Sequence, residues 1–220
     1  MAYAPRVVKF KKTGGGLSSN LEDRRAMGGG KGLAAGGGVV GIIVVVLISL
    51  LSGGGGGGGS TPDLTDIFSQ IDTGGAGGSV DPADEPLVEE MSLALDDIQT
   101  FWSTEAGLGQ EYEDATLVLF TGAVSTGGCG DAPASVGPFY CPADNNAYID
   151  LSFFKELDTR FGAPGDFARV YVLAHELGHH VQNLLRTSNQ VRTEQEADPS
   201  AANDLSVRLE LQADCYAGIW

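Results

Sequence analysis

Seven consecutive glycines, residues 53–59, divide this chain into a front part that has little with which to build a core and a back part that must build one. Glycine loses more backbone freedom on ordering than any other residue and brings no side chain to bury. Most of the 33 glycines precede residue 80. The stretch 53–86, largely Gly, Ser, Thr, Asp and Pro, therefore reads as a flexible linker. Its one apolar segment, 64–71, with Thr61 or Asp63 as cap, makes at best a marginal helix. The globular unit is expected at 87–220, long enough for one sizeable core but not for two.

In front of the glycines, residues 33–52 (LAAGGGVVGIIVVVLISLLS) carry no charge. Twenty helical residues span about 30 Å, the thickness of a hydrocarbon core. The segment reads as a single transmembrane signal anchor. A cleaved signal peptide competes, because the strongest apolar run is only 39–51. Cleavage near residue 53 would release a water-soluble secreted protein. Residues 1–32 hold seven basic side chains against Glu22 and Asp23. The positive-inside rule then leaves 1–32 in the cytoplasm and exports the remainder.

The whole chain has 13 basic and 29 acidic residues. Past residue 32 that leaves six basic and 27 acidic side chains, a net of −21. Such a surface repels phosphates, so nucleic-acid binding is disfavoured. Like charge keeping a solvated surface soluble accounts for the acidity. No EF-hand spacing is present.

Within the globular unit, Leu87, Val88, Met91, Leu95, Ile98 and Trp102 recur at helical spacing over 87–102. TLVLF (116–120) reads as a buried strand and NAYIDL (146–151) as a second, alternating one. Ser152 is placed as the N-cap of a helix over 153–161, and Asp166 as the cap of a long helix from 167 to about 185. The polar stretch 188–199 reads as a loop, and Asn203 or Ser206 starts a last helix. Helices outnumber the two early strands, an α+β pattern.

Of three cysteines, Cys129 and Cys141 lie twelve apart in a Gly-, Pro- and Ser-containing loop. Placed outside the cytoplasm, they read as a disulfide, with two free thiols as the alternative. Cys215 falls inside a helix and reads as a small buried apolar residue.

The long helix contains His175-Glu176-Leu177-Gly178-His179. Residues i and i+4 share a helical face, so both imidazoles reach one zinc ion. Glu176 lies about 100° round the helix, placed to act as base on a water that the metal activates. The three histidines of the chain all fall within 175–180. Apolar Val170, Val172, Leu173, Ala174, Leu177 and Val181 bury this helix, and a buried His or Glu needs partners. His180 points off the ligand face, towards an outer or surface role. Gly178 allows another helix to approach closely.

Two histidines leave a zinc site one protein ligand short, and with no further histidine after His180 the third is expected to be Glu or Asp. Glu210 and Asp214 are i, i+4 on the last helix, flanked by small Ser206, Ala213, Ala217 and Gly218. Glu210 is assigned as third ligand. Asp214 is assigned to accept the outer N–H of a ligand histidine. Glu194, Glu196 and Asp198 are weaker candidates, in a polar loop. Tyr140, Tyr148, Tyr171 and Tyr216 are chemically able to stabilise an oxyanion, yet each also suits plain packing.

HELGHHVQNLL, ELQADCYAGIW, GPFYCPADNNAYIDLSFF, GDFARVYVLAHE and the N-terminal NLEDRR together resemble the bacterial putative neutral zinc metallopeptidase family. The resemblance implies a zincin-like fold: a small sheet and an active-site helix, in a single-pass membrane protein with an exported peptidase domain. It also implies His175, His179 and Glu210 as ligands and Glu176 as base. Members of the family continue past Trp220, so 87–220 is expected to be C-terminally incomplete. In a zincin the strand nearest the metal pairs with substrate backbone, and Asn146–Asp150 is the candidate edge.

The expected function is zinc-dependent hydrolysis of peptide bonds in a peptide or protein substrate. The alternative is a catalytically inactive envelope protein that keeps zinc as a structural centre and acts through binding.

Overall fold

The computed structural model describes residues 10, 16–27, 80–105, 108, 111–160 and 165–220. The anchor expected at 33–52, the glycine tract and the marginal helix at 64–71 lie outside these residues. Six strands are described: β1 (Leu21–Asp23), β2 (Thr116–Phe120), β3 (Ala123–Ser125), β4 (Asp131–Pro133), β5 (Phe139–Cys141) and β6 (Asn146–Asp150). Five α-helices are described: α1 (Glu85–Thr100), α2 (Ser152–Arg160), α3 (Asp166–Leu184), α4 (Thr187–Ala197) and α5 (Ala202–Ile219). The architecture is α+β with a small sheet.

That sheet has the order β1-β2-β6-β5, with β1, β2 and β6 parallel and β5 antiparallel to β6. In β2, Leu117 and Leu119 face one side and Val118 and Phe120 the other, and all four are buried. Burial on both faces is why this strand reads as a continuous apolar run. Leu117, Leu119, Ala147 and Ile149 meet Met91, Leu95 and Ile98 of α1 and Leu173 and Leu177 of α3. The opposite face (Val118, Phe120, Tyr148) packs with Val124, Phe139 and Cys141. The β3–β4 ribbon lies on that side, and the Cys129–Cys141 disulfide ties it to β5.

Helix α1 begins at Glu85 and continues through one π-helical turn, Phe101–Glu105, which keeps Trp102 buried. Asp150 caps α2, accepting the Ser152 N–H at 2.8 Å, so Ser152 is the first helical residue. Asp166 is likewise the first residue of α3 and pairs with Arg169.

Several sequence expectations are corrected. Residues 188–199, read as a loop, form most of α4. This helix buries none of its side chains and so shows no apolar period; Gln195 docks it on the Ala202 carbonyl and the Ser206 hydroxyl. Asn146–Asp150, expected at an edge, is flanked by β2 and β5 and has no free edge.

The membrane topology also needs correction. Among the described residues no helix is long and apolar enough to cross a membrane. Moreover, β1 pairs in parallel with β2, Leu21 opposite Leu117 and Asp23 opposite Leu119. Buried Arg25 bridges Asp23 and Glu85, at 2.6 and 2.9 Å, and the Ser18 N–H donates to Ser92 on α1 at 2.7 Å. Residues 17–27 thus belong to the same folded body as the sheet. They cannot sit in the cytoplasm while that body lies across a membrane, so the single-pass, opposite-sides placement is set aside.

Candidate metal centre

Helix α3 carries two of the convergent side chains and α5 the third. They approach closely because Gly178 lacks a side chain: a Cβ there would stand 2.8 Å from the Ala213 carbonyl oxygen and 3.1 Å from its Cα. On α5 only Glu210, Ala213 and Ala217 are buried, a narrow stripe facing α3. Leu211 and Cys215 face outward, against the expectation that Cys215 is buried.

At this contact Glu210 Oε2 lies 3.2 Å from His175 Nε2 and 3.1 Å from His179 Nε2. One ligand atom from each of the three residues falls within 4.8 Å of the others. The two shorter separations are close to the edge of a tetrahedron with metal–ligand bonds of about 2.0 Å, which is about 3.3 Å. Glu176 is 1% exposed, and its Oε2 has no hydrogen-bond partner among the described residues. An orphaned buried carboxylate oxygen signals a missing partner. Glu176, Glu210 and Asp214 surround two imidazoles, an excess of negative charge that a divalent cation offsets. The donor set of two nitrogens and one oxygen therefore fits zinc.

Electrostatics agree with strong coupling. Burial opposes the charge on His175, but bonds to Asp214 and Glu210 and the charge of Glu176 outweigh it and lift its pKa to about 10. Burial raises Glu210, yet bonds to His175 and His179 overcome it and hold the acid at about 2. Burial also raises Glu176, partly offset by the two histidines. That direction favours a group able to take up a proton.

Outside the three, Asp214 Oδ1 lies 2.9 Å from His175 Nδ1 and accepts from the Tyr171 hydroxyl at 2.6 Å. Gln182, which sequence reasoning passed over, places Oε1 2.9 Å from His179 Nδ1. The available signal was its spacing: i+3 from His179 and i+7 from His175 on a buried face. His180 is fully buried, its Nε2 2.6 Å from the Glu113 carbonyl oxygen and its Nδ1 2.9 Å from the Tyr140 hydroxyl. Both ring nitrogens are engaged away from the three-residue cluster. Glu194, Glu196 and Asp198 are exposed on α4 and just past its end. Tyr148 donates to Asp144, and the Tyr216 ring packs edge-on against Trp102. The sheet edge beside α3 is β5, and the Tyr140 backbone hydrogen-bonds Glu176.

A profile of the family described as "Putative neutral zinc metallopeptidase" matches residues 10–220. The chain belongs to this family. The chain is similar to an Escherichia coli (strain K12) protein named "Uncharacterized protein YpfJ". The two are 44% identical over 144 residues, 64% of this chain and 50% of the relative. A Mycobacterium bovis protein named "Uncharacterized protein Mb2605" is 54% identical over 110 residues, 50% of this chain and 36% of the relative. The chain thus spans half or less of the length of these relatives. No solved structure matches it.

Proposed function

We propose that the chain is a zinc-dependent peptidase in which His175, His179 and Glu210 hold the metal and Glu176 is the general base. The observation that carries this reading is the buried Glu176 Oε2, without a hydrogen-bond partner among the described residues, beside two imidazoles that converge on one carboxylate oxygen. Zinc held there supplies Lewis acidity, polarising a carbonyl and bringing the pKa of water to about 7.

The residues of the chain do the rest. Glu176 takes a proton from the attacking water as its oxygen bonds to the peptide carbonyl carbon. It then delivers that proton to the amide nitrogen, and the C–N bond breaks to give a carboxylic acid and an amine. Burial raises the affinity of Glu176 for the proton it carries between these steps. Asp214 and Gln182 orient the two imidazoles. Peptides or proteins are the proposed substrates.

Glu176→Gln should abolish turnover of unfolded polypeptide while retaining about one zinc per chain. Loss of zinc in this variant would make Glu176 a ligand and overturn the role. A parent protein that binds zinc but hydrolyses nothing would favour a structural zinc centre instead.

A further inference from the structure

We propose that Gln182 is a positioning residue of the metal centre. Its amide fixes the tautomer of His179 and ties the helix that carries two ligands to the turn that carries the third. The proposal rests on the reading that His175, His179 and Glu210 hold a metal.

The hydrogen-bond directions follow from a single fixed point. Gln182 is fully buried, so water cannot complete its bonding. Its Nε2 donates to the Leu209 carbonyl at 2.6 Å and to Gln212 Oε1 at 3.1 Å. A backbone carbonyl only accepts, so the amide NH2 must face α5 and the amide oxygen must face His179. That oxygen also only accepts, so His179 Nδ1 carries a proton. In the neutral ring the lone pair is then on Nε2, the atom 3.1 Å from Glu210 Oε2. Turning the amide over would set its oxygen against the Leu209 carbonyl oxygen, a repulsion in a dry site that no change of the His179 tautomer relieves.

Leu209 immediately precedes Glu210. One side chain therefore sets the ring of one ligand and holds the backbone next to another. The two imidazoles are supported differently: His175 by the carboxylate of Asp214, His179 by an amide. An amide suits this place because the cluster already holds Glu176, Glu210 and Asp214. A fourth carboxylate could not donate to Leu209 and would add charge to a buried site.

Two measurements test the proposal. Two-bond nitrogen–proton NMR on the zinc-loaded parent should show His179 with Nδ1 protonated and Nε2 metal-bound. Competition with a chromophoric chelator should show Gln182→Met binding zinc about 10–100-fold more weakly than the parent, the usual range for loss of a ligand's outer partner. Zinc bound through His179 Nδ1, or parent-like affinity in Gln182→Met, overturns the proposal and leaves the three-ligand reading standing. A parent that takes up no zinc overturns both. Should Gln182→Met fail to fold, the tautomer in the parent decides.

Discussion

Asp214 Oδ1 lies 2.9 Å from His175 Nδ1, one helical turn beyond Glu210, whose Oε2 lies 3.2 Å from the other nitrogen of the same ring. A single imidazole is thus gripped from both sides by one helix. The two acids differ in kind: one points at the converging Nε2 atoms, the other only at the ring's far side. Glu210→Ala should therefore collapse zinc affinity. Asp214→Ala should cost about 10–100-fold, and Glu194→Ala and Glu196→Ala on the exposed helix should be near neutral. Chelator competition on the four variants gives the order. Parent-like zinc binding by Glu210→Ala would move the third ligand elsewhere.

The same coupling predicts a pH dependence for metal-free protein. His175 has its pKa lifted from 6.5 to about 10 on folding. Its stabilisation is complete below 6.5 and is lost as pH rises through about 10. Glu210 is lowered from 4.5 to about 2, so its stabilisation is complete above 4.5 and is lost as pH falls towards 2. Thermal unfolding after chelator treatment should show a lower Tm at pH 9 than at pH 5.5. Zinc should shrink that difference, and so should Glu210→Gln, which removes the shared acid. An alkaline decline unchanged in Glu210→Gln would assign it to other groups.

Gly178→Ala tests the helix contact. In an exposed helix this change stabilises by roughly 1 kcal/mol. Here the new methyl group would meet backbone atoms of Ala213 at 2.8 and 3.1 Å, and backbone cannot swing aside. Overpacking of this kind costs about 1–3 kcal/mol, so the net change should be destabilising, with weaker zinc binding as α5 is pushed off α3. Denaturant unfolding with zinc titration measures both. A stabilised variant would show that the helices separate freely.

Cys129 and Cys141 are bonded, with a sequence separation of 12. Closing so short a loop is worth about 3 kcal/mol in the chain-entropy model. Cys129→Ser/Cys141→Ser should therefore unfold at lower denaturant, and peptide mapping of the parent without reductant should recover the two as one linked pair. Two thiols free to alkylate would remove the basis of this prediction.

The sequence by itself located the helices with a long apolar period, α1 and α3, and the strands β2 and β6. It also brought His175, Glu176 and His179 onto one helix, because residues four apart share a face whatever surrounds them. Glu210 was reachable as a candidate by chemistry, since a zinc site with two histidines calls for another ligand, His180 lies off their shared face and no histidine follows it. Other features are decided only by tertiary structure. Strands of three residues, β1, β3, β4 and β5, are too short to show alternation and exist through their pairing. Helix α4 buries nothing and so carries no period to read. The place of residues 17–27 depended on whether Leu21–Asp23 found a partner strand, a contact made across more than ninety residues of chain. Gln182 became meaningful only once the Leu209 carbonyl was set against it, because the direction of an amide is fixed by what it faces in space.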